Sequence, residues 1–161
     1  MTLNDLLIPY QLFMLASSTF VLAKGGAPER YGAVTIICMA VFQIIMELVN
    51  PSRFINVDGA SLGADLIGFF GFGVLALHAR RVWPVIAVAL QMIALCAHYA
   101  RWASLDMSPA AYSIMRNIPT TTIVALMLAA TTTSTLKRRR NWIDMPWQNW
   151  SEIRRLRSTK P

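Results

Sequence analysis

The sequence predicts an all-α fold: a polytopic integral membrane protein with a bundle of five transmembrane helices and a short basic tail. Of the 161 residues, 55% are hydrophobic and only 14% are charged, and the mean hydropathy is +0.46. Five apolar stretches alternate with polar connections. Each has about the 20 residues that a helix needs to cross a bilayer with its backbone polar groups bonded internally. This composition excludes a disordered chain, a collagen-like repeat and a disulfide scaffold.

The first two helices are bounded by residues that break helices. The first is expected over about 6–23 and ends at the charged, glycine-rich connection 24–30. The second is expected over 32–49 and ends at Asn50 and Pro51, because a helix seldom continues through the residue before a proline.

The ends of the last three helices are marked mainly by charged residues. The third is expected over 60–79 and ends at Arg80 and Arg81. The fourth, over 82–100, follows so closely that the two must form a tight helical hairpin, with Pro84 in a first turn that tolerates its missing N–H. The fifth is expected over 111–133. We therefore assign residues 1–136 to the membrane domain and 137–161 to a cytoplasmic tail.

The orientation follows from the distribution of cations. With five helices, twelve of the fifteen Lys and Arg residues fall on the side that includes the tail. Because cytoplasmic connections of membrane proteins carry an excess of Lys and Arg, the N-terminus is expected outside and the C-terminus in the cytoplasm. The expected location is a bacterial inner (cytoplasmic) membrane.

The tail is basic and amphipathic. It holds eight basic and two acidic residues. Its apolar side chains at a spacing of three would share one side of a short helix lying in the headgroup region. The residues expected to contact lipid or a partner are Trp142, Trp147, Trp150, Arg154, Arg155 and Arg157. Two alternatives remain: a frayed tail with its tryptophans at the interface, and a docking face for a partner protein. Basicity here indicates membrane lipids, and no nucleic acid is expected as a partner.

Polar residues within the predicted helices collect in one leaflet. The members of this cluster are Gln43, Glu47, Asp65, Gln91, His98, Arg101 and Arg116. Ionisable groups in hydrocarbon are costly, so each needs a partner or a function. One interpretation is a polar cavity that opens to the extracytoplasmic side and holds a ligand or ion. The other is a structural network in which the two arginines pair with the carboxylates, with Asp65 the first choice for Arg116 and Glu47 the second.

The sequence indicates no cofactor and no metal site. His78 and His98 lie near opposite ends of adjacent helices, roughly 24 Å apart at 1.5 Å per residue, so they cannot share a haem. Zinc-hydrolase, nucleophile-elbow and phosphate-loop spacings do not occur, and no catalytic residue is assigned.

In size and number of membrane segments the chain resembles the tryptophan-rich sensory protein (translocator) family of five-helix membrane proteins. The Pro- and Trp-rich motifs of that family are not found. The stretches 26–30 (GAPER) and 51–54 (PSRF) resemble uncharacterised small integral membrane proteins of alphaproteobacteria. No functional residue is transferred from either resemblance.

Three functions are compatible with the sequence. The first is a non-enzymatic membrane protein that acts as an accessory or assembly subunit of a larger membrane complex, with a membrane-protein partner or as a homo-oligomer. The second handles a small solute, ion or lipid through the polar cluster. The third is a membrane enzyme that uses Glu47, Asp65 or His98 as acid or base. A cavity would favour the second and third, and an uncovered seam of small residues would favour the first.

Overall fold

The computed structural model describes residues 3–49, 59–103, 108–139 and 147, and this part of the chain is all helical apart from one isolated bridge. The five helices are α1 (Leu3–Lys24), α2 (Ala27–Val49), α3 (Gly59–His78), α4 (Trp83–Trp102) and α5 (Pro109–Arg139). The predicted all-α class and the five helices are therefore confirmed.

Two helix boundaries differ from the sequence prediction. Helix α2 begins at Ala27 rather than near residue 32, so only Gly25 and Gly26 separate it from α1. The reason is that Pro28 falls in the first turn, where its fixed φ favours a helix and its missing N–H breaks no bond. Helix α5 continues to Arg139, six residues beyond the expected end. Its hydroxyl side chains bond back to carbonyls of the preceding turn, as Thr135 Oγ1 does to Thr131 O at 2.7 Å, and do not interrupt it.

The helices pack as a closed ring in chain order. Each helix packs on the next, α1 also packs on α5, and α2 contacts α5 across the ring. The two-residue connection between α1 and α2 and the short turn between α3 and α4 make both pairs antiparallel neighbours. The centre is filled by Ile36, Phe72, Ile123, Val124 and Met127, all at most 2% exposed.

The outward face of the bundle is apolar and the interior contains polar side chains. Leu66, Phe70, Val74 and Leu77 form an exposed row on α3 at a spacing of three to four residues. Asp65, on the same helix, is buried. A soluble protein would show the reverse arrangement, and a lipid-facing surface explains it.

Within the part of the chain that the structure describes, four helices are long and apolar enough to span a membrane, over Ala27–Met46, Gly59–His78, Trp83–Trp102 and Ala111–Lys137. A shorter apolar helical stretch, Leu12–Lys24, lies in α1. The chain therefore has the architecture of a helical membrane protein.

Candidate functional site

Side chains from three helices meet around the buried carboxylate of Asp65. Asp65 lies near the start of α3, His98 near the end of α4 and Tyr112 near the start of α5. Because successive helices run in opposite directions, these positions reach the same end of the bundle, called here the Asp65 end. Asp65 and His98 are 4% and 2% exposed.

The imidazole of His98 connects the carboxylate to a phenol. His98 Nε2 lies 3.0 Å from Asp65 Oδ2, and Tyr112 Oη lies 2.9 Å from His98 Nδ1. An ionised carboxylate only accepts hydrogen bonds, so Nε2–H is the donor to Asp65. In a neutral imidazole Nδ1 then accepts from the Tyr112 hydroxyl. The chain from phenol to imidazole to carboxylate is therefore fully bonded without a charge on His98.

Arg116 extends the same cluster along α5. Its Nη1 donates to Ser61 Oγ at 3.0 Å, and its guanidinium lies 5.9 Å from the ring centroid of Tyr112, within the range of a cation–π contact. Ser61 precedes Asp65 by one turn of α3. Arg116 is therefore held by a hydroxyl and an aromatic face beside the Asp65–His98 pair.

The expected pairing of Arg116 with Asp65 is replaced by a different arrangement. The side chain bonded to Asp65 is His98, and Arg116 bonds Ser61 instead. Matched depth placed Asp65 of α3 and Arg116 of α5 at one level, but depth does not distinguish a carboxylate from a hydroxyl one turn away. An imidazole at the end of α4 was the nearer partner for the carboxylate.

A cavity of about 70 Å³ lies beside this cluster. Helices α1, α2, α3 and α5 contribute its walls, which place one carboxylate and one guanidinium among amides, hydroxyls and apolar side chains. The lining residues that carry polar side chains are Gln43, Ser61, Asp65, Arg116, Asn117 and Thr120. Met14, Ile36 and Met39 form apolar parts of the wall. Asp65 and Arg116 therefore both border this space.

The structure places the other predicted members of the cluster as follows. Arg101 is half-buried in the last turn of α4. Gln91 is fully buried, its Nε2 lies 3.7 Å from Met39 Sδ, and none of the described residues donates to its Oε1. The side chain of Glu47 lies outside the described residues. So do the tail residues Trp142, Trp150, Arg154, Arg155 and Arg157, whereas Trp147 is described.

Trp147 packs on the protein rather than standing apart from it. Its ring meets Tyr31 edge to face, with centroids 5.6 Å apart. Its backbone forms an antiparallel bridge with Ala79, and its side chain is half-buried against the hydrophobic core. At this residue the tail contacts the bundle, between the first turns of α2 and the turn after α3.

A second buried polar cluster lies at the opposite end, called here the Glu29 end. Glu29 is fully buried, with Oε1 3.6 Å from Arg81 Nε and 3.3 Å from Ser134 Oγ. It stands in the first turn of α2, where a carboxylate also complements the helix dipole. Its Oε2 lies so close to Gly26 that a Cβ there would be 2.6 Å away, so a side chain at this position would displace the Glu29 carboxylate.

Sequence reasoning missed Tyr112, Ser61 and Glu29. A signal for the first two exists, since Tyr112 precedes Arg116 and Ser61 precedes Asp65 by four residues, which places each pair on one helix face. Glu29 was assigned to a connection, and a residue in an exposed turn gives no reason to expect burial. Its role becomes visible only when α2 is seen to begin at Ala27.

The chain matches no known family model, no curated protein and no solved structure. Its function is therefore argued from the site alone. Within the described residues, no group of three or more His, Cys, Asp or Glu side chains is arranged to hold a metal ion. What the Asp65 end provides is a small space with a hydrogen-bond acceptor, a fixed cation and several neutral polar groups.

Proposed function

We propose that the protein is a non-enzymatic integral membrane protein that binds a small polar solute or ion in the cavity at the Asp65 end. The observation that carries this proposal is the cavity itself, whose lining includes both Asp65 and Arg116. Ionisable side chains in a membrane helix most often mark a ligand or ion path, and here two of opposite charge line one space.

The volume of the cavity limits the size of the ligand that it can hold. A cavity needs roughly 10–15 Å³ to hold one water, so the cavity of about 70 Å³ suits a few waters or a solute of a few heavy atoms. A whole lipid does not fit, which separates a solute or ion from the lipid-handling variant of this function. The amides of Gln43 and Asn117 can donate and accept, which favours a ligand that does both.

The proposed topology has five spans, with α1 as the fifth, in a bacterial inner membrane. The N-terminus is extracytoplasmic and the C-terminus cytoplasmic. Support comes from Lys24, Arg30, Arg80, Arg81 and Lys137, which belong to helix ends and turns on the Glu29 side. Compartment reporters should alternate along the chain when fused after Lys24, Asn56, Arg81, Asp106 and Lys160. A reporter at Lys160 that reads as extracytoplasmic would contradict this topology.

The binding of a solute can be tested with a substitution that fills the cavity without changing the charges that line it. Ala40 lines the cavity on α2, so Ala40→Leu should occupy part of the space. Its control is Ala89→Leu at an exposed position of α4. The thermal midpoint of the purified protein is measured against sodium acetate, sodium bicarbonate, acetamide and ammonium chloride, since a ligand of the native state raises that midpoint.

We expect at least one of these probes to stabilise the wild type and Ala89→Leu but not Ala40→Leu. If no probe stabilises the wild type, or if Ala40→Leu retains the full shift, the cavity is not the binding site.

A second candidate, an accessory or assembly subunit, is favoured by an exposed stripe on α5. Thr121, Ala125, Ala129 and Thr133 are exposed at four-residue spacing. Small residues at this interval allow the backbone of another membrane helix to approach closely. The double variant Ala125→Leu with Ala129→Leu should lose any protein, or second copy of this chain, that co-purifies in mild detergent, while Ala89→Leu should retain it. Unchanged co-purification would exclude this face as the interface.

A further inference from the structure

Among the side chains that the structure describes, cations outnumber carboxylates at the Glu29 end. These cations are Lys24, Arg30, Arg80, Arg81 and Lys137. The carboxylate that the described residues supply there is that of Glu29, which is fully buried against Arg81 and Ser134. Glu29 therefore presents no negative charge at the surface beside the exposed cations Lys24, Arg30 and Lys137.

Three of these cations form what we call the basic corner: Lys24, Arg30 and Lys137. All three are exposed. Lys24 ends α1 and its carbonyl accepts a 3.5 Å hydrogen bond from Thr135 Oγ1, which brings the end of α5 to the end of α1. Lys137 follows two residues later. The corner is therefore assembled from three helices rather than from one run of sequence.

Arg30 is turned back towards the end of the bundle. Its Nε donates to Gly25 O at 3.1 Å, five residues earlier in the chain. A long basic side chain near a membrane boundary commonly extends towards the headgroups in this way. The bond fixes the guanidinium through Nε and leaves the Nη hydrogens, and none of the described residues accepts from them. A planar pair of Nη donors matches the oxygens of a phosphate.

The corner coincides with the ends of three apolar helices. The apolar part of α1 ends at Lys24, the span in α2 begins at Ala27 and the span in α5 ends at Lys137. This is the depth at which lipid phosphates lie. One turn farther into the membrane, Phe20 lies beneath Lys24 and Val34 beneath Arg30, and they are 46% and 48% exposed. Cations thus stand above an exposed apolar surface.

We propose that the basic corner binds the phosphate of an anionic lipid, with the acyl chains on the apolar surface that includes Phe20 and Val34. An anionic phosphate has the charge and acceptor oxygens that the corner lacks. The apolar surface beneath the cations distinguishes a lipid from a free phosphate, which has nothing to place there. This site is separate from the cavity at the Asp65 end and does not depend on it.

The test uses the full-length protein in mild detergent with equal amounts of phosphatidylglycerol and phosphatidylcholine, and measures retained lipid by native mass spectrometry. The corner variant combines Lys24→Gln, Arg30→Gln and Lys137→Gln. The matched control removes three charges that belong neither to the corner nor to the predicted lipid contacts of the tail, through Arg53→Gln, Arg140→Gln and Lys160→Gln. Each basic residue near an anionic surface is worth roughly fivefold in affinity, so the corner variant should lose the preference for phosphatidylglycerol by at least about tenfold.

We expect the control variant to retain most of the preference, and millimolar inorganic phosphate not to displace the lipid. Equal losses in the two triple variants would show that overall charge, and not the corner, selects the lipid. Displacement by inorganic phosphate, or no preference in the wild type, would also overturn the proposal. If the corner variant fails to fold, Lys137→Gln alone should lower the preference about fivefold, and an unchanged preference would contradict the site.

Discussion

The hydrogen bond between Asp65 and His98 should dominate the energetics of the Asp65 end. The perturbation is a double-mutant cycle made of Asp65→Leu, His98→Leu and the pair. With the imidazole gone, a carboxylate that is 4% exposed loses its hydrogen-bond donor and the hydroxyl of Tyr112 loses its acceptor. A carboxylate left buried without its donor costs about 3 kcal/mol or more, whereas the double variant leaves no orphaned charge.

The coupling energy can be bounded from measured interhelical contacts in membranes. These average about 0.6 kcal/mol and reach about 1.7 kcal/mol. The Asp65–His98 bond is charged, 3.0 Å long and almost completely buried, so its coupling should lie near the upper value, between about 1 and 2 kcal/mol. The assay is the free energy of unfolding in bicelles, measured by circular dichroism against denaturant.

The matched comparison is the cycle between Asp65→Leu and Arg116→Met. Arg116 borders the same cavity but donates to Ser61. Its coupling to Asp65 should be less than half that of His98. If the His98 cycle is additive to within about 0.5 kcal/mol, or if Arg116 couples more strongly, the assignment of His98 as the partner of Asp65 is refuted.

Three further predictions concern packing and the Glu29 end. Gly68→Ala should lower the free energy of unfolding by about 1 to 3 kcal/mol, since a Cβ there would approach buried Gln91 Nε2 and lie 2.8 Å from Met39 Sδ. Gly73→Ala on the same helix meets nothing within 4 Å and should be neutral or stabilising by about 0.5 kcal/mol, so equal losses would contradict the packing. Glu29→Gln should cost about 2 kcal/mol in the same unfolding assay, because it leaves Arg81 beside a neutral group, and no loss would show that the pair is solvated. Trp147→Ala should remove its edge-to-face contact with Tyr31, measured as reduced near-ultraviolet circular dichroism and a loss of about 1 kcal/mol, and an unchanged spectrum would contradict docking of Trp147 on the bundle.

The helical class and the approximate helix positions could be predicted because they depend on properties of single segments. About 20 apolar residues between charged connections indicate a membrane helix whatever it packs against. The boundary of α2 could not be placed in this way. The segment from Gly25 to Arg30 contains residues that can end a helix and residues that can begin one. Pro28 fits a first helical turn, but only the position of the reversal between α1 and α2 determines that it occupies one.

The partners within the polar cluster could not be predicted because they depend on rotation of each helix about its axis. Depth in the membrane follows from counting residues, and it brought Asp65 and Arg116 to one level. Whether the guanidinium reaches Asp65 or Ser61, four residues earlier, depends on a shift of one turn. Hydropathy does not contain that information. The coarse location of the cluster was therefore accessible, whereas its bonding was not.

The buried carboxylates at the two ends of the bundle have different surroundings. This difference supports placing the proposed ligand site at the Asp65 end. At the Glu29 end the carboxylate is fully buried in a helix first turn and faces Arg81 and Ser134, which ties α2, α5 and the turn before α4 together. At the Asp65 end, Asp65 Oδ2 is hydrogen-bonded to the imidazole of His98. The nearby guanidinium of Arg116 donates to the hydroxyl of Ser61. Asp65 and Arg116 both line the cavity at this end, together with neutral amides and hydroxyls. The proposed binding of a small polar ligand rests on this lining, whereas the carboxylate of Glu29 is enclosed by the helices that it connects.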